Sequence, residues 1–225
     1  MTTTIALAGK GGVGKTTVAG MIIKYLAQNQ PGSVLAIDAD PSSNLNMVLG
    51  LELAWTIGEI REDMLSQVKQ SLTATGAAMG ALSGGVSKRE YLDYNVRSSL
   101  AEGDRFDLIA MGQPEGPGCY CAVNHNLREV IDSLSRQYRY VVIDNEAGME
   151  HSRRTTRVVD HLIIVSDATQ RGIVAAERIA AFRHELDIRI ANSYLILNRA
   201  PLELPLPLQQ RIGQMDVPLL GLVPA

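Results

Sequence analysis

Residues 9–17 read GKGGVGKTT and fit the pattern G-x-x-x-x-G-K-[ST] at Gly9, Gly14, Lys15 and Thr16. An apolar strand-like run precedes them and a helix-like run follows, which is the context the pattern needs. Glycines let consecutive backbone N–H groups curl around phosphate oxygens, and the following helix adds its positive end. The expected lining of a nucleotide site is therefore Gly9, Lys10, Gly11, Gly12, Val13, Gly14, Lys15, Thr16 and Thr17. Lys15 would neutralise the outer phosphates of the nucleotide, and the Thr16 hydroxyl would hold magnesium. The bland alternative is a glycine-rich strand-to-helix turn with no ligand, and every filled motif position weighs against it.

A second concentration of chemistry lies in GPGCYC, which holds Cys119 and Cys121, the two cysteines of the chain. In an extended segment residues i and i+2 point to one side, so both sulfurs can be presented together. Their Cα atoms would then stand about 7 Å apart, at the edge of what a disulfide tolerates. Two thiolates are half of a closed tetrahedral metal site, and a two-fold symmetric dimer would bring the other half. Nickel and zinc both suit such ligands. A buried or incidental pair is the competing account, since free cysteine packs as a small hydrophobe. His125 follows at a spacing that suits a further ligand, but it reads more simply as a residue opening the next helix.

Carboxylates cluster at two apolar run ends. AIDADPSSNLN carries Asp38 and Asp40, and VVIDNEAGMEH carries Asp144 and Gly148. Taken singly, each aspartate is as readily a helix cap or turn residue. Asn198, in LILNRA, ends a late run, where a turn-forming role competes with ligand recognition.

Something must position these groups. Short runs rich in Ile, Val and Leu recur at 4–9, 34–38, 106–112, 140–145, 161–166, 193–198 and 219–223. Segments with apolar spacings of three and four lie between, notably 17–27, 126–138 and 172–186. This alternation predicts an α/β fold, a mostly parallel twisted sheet with helices on both faces. Ligands of such sheets bind beyond the carboxyl ends of the strands, where the candidate residues fall. The stretch 51–104 breaks the rhythm and reads as a helical insertion, its tip rich in Gly, Ala and Ser, within a single domain spanning 1–225. After the last run the chain stops at Pro224-Ala225, where an α/β unit ordinarily adds a helix, so the end reads as truncated.

Composition narrows the classes. A formal net charge of −3 offers no overall basic surface for nucleic acid or an anionic membrane. No apolar run is long enough to span a bilayer, and the N-terminal run lacks the length and basic flank of a signal peptide. The expected compartment is the cytoplasm, where close cysteines more often serve metal or redox chemistry than disulfides.

The loop KGGVGKTT resembles the deviant Walker A sequence of the MinD/ParA and nitrogenase iron protein class of dimeric P-loop ATPases. The resemblance implies a P-loop NTPase fold, binding of ATP and ADP with Mg²⁺, and a Lys10 that reaches the partner's nucleotide across a homodimer interface. It also implies that Asp40 positions the attacking water and Asp38 lies close to Mg²⁺. Asp144 would hold Mg²⁺ through water, and Gly148 would let the backbone follow the γ-phosphate. Asn198 would recognise adenine, with Pro224 beside the base.

EGPGCYCAVN, DNEAGMEH and SRRTTR, with VSKREYLDYNV ahead of them, resemble the CooC family of accessory ATPases for nickel insertion into carbon monoxide dehydrogenase. That resemblance implies an ATP- and metal-promoted homodimer binding nickel or zinc through Cys119 and Cys121. Its client would be carbon monoxide dehydrogenase or a related nickel enzyme such as acetyl-CoA synthase. Two other readings stand beside it. One is an iron–sulfur carrier of the nitrogenase iron protein type, against which the C-x-C spacing speaks. The other is a MinD/ParA-type positioning ATPase, which would need a basic surface or an amphipathic tail.

Overall fold

A strand buried on both faces must supply apolar side chains at odd and even positions alike, and the short Ile/Val/Leu runs do so. The computed structural model describes residues 1–75, 86–113, 121–146, 158–183 and 188–224, without the side chains of 69, 71–75 and 121–124. In chain order the strands are β1 (Thr3–Ala8), β2 (Val34–Asp38), β3 (Ala101–Glu102), β4 (Phe106–Ala110), β5 (Tyr140–Asp144), β6 (Val158–Asp167), β7 (Arg189–Ala200) and β8 (Leu219–Pro224). They form one sheet of order β3-β4-β2-β5-β1-β6-β7-β8. Every pairing is parallel except β3 with β4.

The described helices are α1 (Lys15–Asn29), α2 (Leu45–Leu49), α3 (Ile57–Thr75), α4 (Lys88–Ser98), α5 (Cys121–Ser135), α6 (Gln170–Phe182) and α7 (Leu206–Gly213). The sheet separates two cores. On one face Ala6, Leu35, Ile37, Ile109, Ile143 and Ile164 meet residues of α3 to α7, among them Met64, Leu92, Ile131, Ile173 and Ile212. On the other, Leu7, Val34, Ala36, Leu108, Val142 and Ile163 meet Val18, Ala19 and Ile23 of α1 and Leu45 and Leu49 of α2. The period of two within each strand thus sorts even positions of β2 and β5 toward α1. Asp38 and Asp144 are both even, so each ends its strand on the α1 side.

Several details depart from the sequence expectation. β3 lies in the stretch read as helical insertion; two residues are too few to show a period. The five residues of α2 are likewise too short for helical spacing to register. Beyond them, α3 and α4 place Ile57, Ile60, Met64, Leu92 and Val96 in the core shared with α5. A reciprocal cap starts α4: Glu90 N–H donates to Ser87 Oγ at 3.2 Å and Ser87 N–H to Glu90 Oε2 at 3.0 Å. The glycine- and alanine-rich tip at 76–85 lies outside the described residues. β6 and β7 begin earlier than expected, because Val158 pairs with Arg189, Val159 with Ile190 and His161 with Asn192, although Val158, Arg189 and Asn192 are exposed.

Ile37 sits in β2 between β4 and β5 and is 1 % exposed. Ile37→Ala is expected to cost about 3 kcal/mol, seen as a lower urea midpoint with an unchanged slope.

Candidate functional site

β1 runs up the middle of the sheet, and its carboxyl end delivers the chain into the glycine-rich loop. A Cβ on Gly9 would overlap the carbonyl oxygen of Val165 in β6, so the loop leaves the sheet where only glycine fits. Gly14 takes a left-handed conformation (φ 91°) immediately before α1, and a Cβ there would overlap Asn198 Nδ2. The turn brings Gly14 carbonyl into the first bond of α1, accepted from Val18 N–H at 3.0 Å. Lys15 is 7 % exposed, and its ammonium donates to the Lys10 carbonyl at 3.4 Å. Lys10, Gly11, Gly12 and Thr17 are exposed, Thr16 is half-buried, and Val13 is packed in the core that holds α1.

The two strand-end aspartates are matched in register across β2 and β5. Asp38 is wholly buried, and both its oxygens are used. Oδ1 accepts from Asp40 N–H at 3.1 Å and Oδ2 from Leu45 N–H at 2.9 Å, pinning the 39–45 loop and the start of α2. Burial pushes the Asp38 carboxyl up to about 6, against the backbone N–H groups that favour its ionised form. Asp144 is 1 % exposed, and neither of its oxygens has a hydrogen bond of ordinary geometry. Its carboxyl is also pushed up to about 6: burial and then the charge of Asp38 raise it, while the facing Thr16 hydroxyl and Lys15 pull it down. Asp40 is half-buried, and its Oδ1 accepts from Ser42 N–H at 2.9 Å.

A buried carboxylate without a hydrogen bond of ordinary geometry, beside a threonine hydroxyl and a second carboxylate, offers the hard oxygen ligands that magnesium prefers. The residues therefore fit the ion. Thr16 and Asp144 would hold it, directly or through water.

Asn198 ends up on the phosphate loop: its Nδ2 donates to the Val13 carbonyl at 2.8 Å. Pro224 is exposed at the end of β8, paired with Ala200. Lys10 and Gly9 border a cavity of about 610 Å³ whose far wall is α6, with Arg171, Val174 and Arg178. Cys121 is the first residue of α5, after β4 at the carboxyl edge of the sheet, and is itself helical rather than extended. Cys119 and Gly148 lie outside the described residues. His125 lies one turn into α5, its Nε2 3.5 Å from Glu129 Oε1. Among the described residues no group of three or more His, Cys, Asp and Glu converges.

Two site residues escaped the sequence reading. Buried Asn145 donates from Nδ2 to the Leu7 carbonyl at 2.8 Å, tying the end of β5 to β1. Exposed Arg199 donates from Nη2 to the Gly12 carbonyl at 2.6 Å. The only signal of Asn145 is its place beside Asp144, and nothing in LILNRA marks the backbone turn that aims Arg199.

A carboxyl displaced upward favours the fold in its protonated form, so its contribution is present below about pH 4 and is lost as pH rises through about 6. In metal-free protein, the stability of Asp144→Asn relative to wild type is expected to rise by about 3 kcal/mol between acid and neutral pH. Denaturant melts at each pH measure this. The same variant is expected to lose the magnesium dependence of nucleotide binding.

Comparison with known proteins agrees with this geometry. Residues 4–225 match the family model described as the CobQ/CobB/MinD/ParA nucleotide binding domain. An uncharacterized ATP-binding protein of Methanocaldococcus jannaschii is 40% identical over 221 residues, covering 98% of this chain and 83% of the relative. The carbon monoxide dehydrogenase accessory protein CooC of Rhodospirillum rubrum is 30% identical over 230 residues, covering 98% of this chain and 82% of the relative. A ParA family ATPase from Chlorobium tepidum superposes with a TM-score of 0.68 at 18% identity, covering 100% of this chain and 84% of that one. At that identity the superposition speaks to the fold, an α/β sheet with a phosphate loop. The chain belongs to the CobQ/CobB/MinD/ParA family of P-loop nucleotide-binding proteins.

Proposed function

We propose that this protein is an ATP-dependent metallochaperone that binds nickel or zinc through Cys119 and Cys121 at a homodimer interface. It couples ATP hydrolysis to nickel insertion into carbon monoxide dehydrogenase or a related nickel enzyme. The observation that carries the reading is the C-x-C pair, the chain's whole stock of cysteine, in a sequence similar to CooC over 98% of its length. Cys121 heads α5, the helix that follows β4, on the same sheet edge as the phosphate loop, which supports the reading. Two thiolates leave a metal half coordinated, and a second copy related by a two-fold axis completes the site.

The nucleotide half of the proposal rests on the loop, Lys15 and Thr16, with Asp38 and Asp144 behind them. Magnesium, when bound, would offset negative charge on the phosphates and on the strand-end carboxylates. Asp40 orients the attacking water. Gly148 follows the γ-phosphate, and Asn198 and Pro224 border the base. Lys10 is exposed at the mouth of a basic cavity, a placement that supports a charge delivered to the partner's nucleotide. The nickel ion is cargo. For ATP to drive its transfer, the ATP and ADP states must differ in metal affinity.

Elemental mass spectrometry and light scattering on oxygen-free wild type and Cys119→Ser/Cys121→Ser test the interface site. One nickel or zinc per dimer, lost in the variant, is expected. Brown protein carrying iron would favour an iron–sulfur carrier, and protein with no metal would favour a positioning ATPase. Equal metal affinities with ADP and with a non-hydrolysable ATP analogue would sink the coupling. Lys10→Ala is expected to lower the hydrolysis rate about a thousandfold while nucleotide affinity per chain stays within about twofold.

A further inference from the structure

The N–H groups of a phosphate loop must face its ligand, so its carbonyls face away and need donors of their own. Here Gly12 and Val13 carbonyls receive them from two consecutive residues: Arg199 Nη2 at 2.6 Å and Asn198 Nδ2 at 2.8 Å. Consecutive residues of a regular strand point to opposite faces, so β7 cannot aim both side chains at one loop without a local distortion. The distortion is present. Arg199 has φ 52°, in the left-handed region that a non-glycine residue adopts at a cost. The β7–β8 register also shifts between Asn198 and Ala200, leaving Arg199 as the extra residue of a bulge. Bulges beside functional sites commonly re-aim a side chain, and backbone strain persists where the surroundings over-determine it.

We propose that Arg199 is a positioning residue for phosphate binding, turned by the bulge so that its guanidinium holds and polarises the Gly12–Val13 peptide. A cation on a peptide oxygen draws electron density through the amide, which makes the N–H of the same peptide a stronger donor. The N–H concerned is that of Val13, which the loop would turn toward a bound phosphate. Asn198 acts in the same way, without charge, on the Val13–Gly14 peptide. Arg199 thereby strengthens the loop's grip on polyphosphate and has no part in reading the base. This inference rests on the nucleotide reading of the loop.

The test is calorimetric titration of the full chain with tripolyphosphate, ATP and GTP in magnesium buffer, for wild type, Arg199→Gln and Arg199→Lys. Because the contact is exposed to competing water, the Gln variant is expected to bind both tripolyphosphate and ATP about tenfold more weakly. The ratio of ATP to GTP affinity should stay at the wild-type value, and the Lys variant should recover part of the loss. A change confined to packing would leave no such charge-dependent recovery. Tripolyphosphate affinity unchanged in Arg199→Gln, or a loss confined to the base preference, overturns the proposal and leaves the nucleotide reading intact. Wild type that binds neither ATP nor tripolyphosphate overturns both. Should the Gln variant not fold, the Lys variant decides: it keeps the charge but lacks the planar fork, so it too must bind tripolyphosphate more weakly than wild type, and equality defeats the proposal.

Discussion

Two carboxylates end adjacent parallel strands in matched register, on the same face of the sheet and out of contact with water. Such a pair is costly, because each negative charge is desolvated and each raises the other's proton affinity. The surrounding elements can be understood as responses to that charge. α1 begins at the same edge, and its N-terminal turn, with the buried ammonium of Lys15, supplies the compensating positive potential. The two aspartates share it unequally. Asp38 spends its oxygens on the Asp40 and Leu45 N–H groups, whereas Asp144 faces Thr16 with no donor of ordinary geometry. One carboxylate is thereby built into the loop after β2, and the other is held without such bonds.

The pair cannot be moved without moving the sheet. Because a strand alternates its faces, the residue count from the first buried valine of β2 or the tyrosine of β5 decides which core the terminal aspartate joins. Leu7 of β1 lies opposite Asp144 and packs in the α1 core, so the same parity aims the chain leaving β1 toward the helix that follows it. Gly9 then passes too close to the Val165 carbonyl for any side chain, and Asn145 ties β5 back to Leu7. Three neighbouring strands are thus fixed to one another at the edge where the ligand chemistry sits. Below that edge the two apolar cores supply rigidity rather than specificity.

How much of this was legible in the sequence follows from the range of the interactions. The phosphate loop was fully legible, since its chemistry is done by backbone groups whose geometry the glycines, Lys15 and Thr16 dictate locally. Seven strands were legible because each contains a short apolar run. β3 and α2 were not, being shorter than the periods that reveal them. The strand-end positions of Asp38 and Asp144 could be read, but not the difference between a satisfied and an orphaned carboxylate, which depends on contacts made across the sheet. Asn198 could be read only as a residue at a run end, and the structure adds a bond to Val13 that no local pattern encodes. Arg199 was invisible because its direction is set by a bulge, a mismatch between two strands and not a property of either.

The same distinction bears on how a nucleotide would be sensed in the proposed cycle. The 39–45 loop is held to the sheet by a carboxylate that is itself displaced toward protonation by burial, and its partner across the strand pair has unused oxygens. A cation held at Asp144 would lower the negative potential at Asp38 and favour its ionised form, which accepts from the Asp40 and Leu45 N–H groups. In that cycle the loop that carries Asp40 would be coupled to occupancy of the site by electrostatics, across one strand spacing. In the proposed dimer, joined at this sheet edge, a change of that kind in each chain would be felt at the interface, and a metal held by thiolates from both chains would register the two changes together. Shared coordination would in this way convert a small, local electrostatic difference between nucleotide states into a difference in affinity for the cargo.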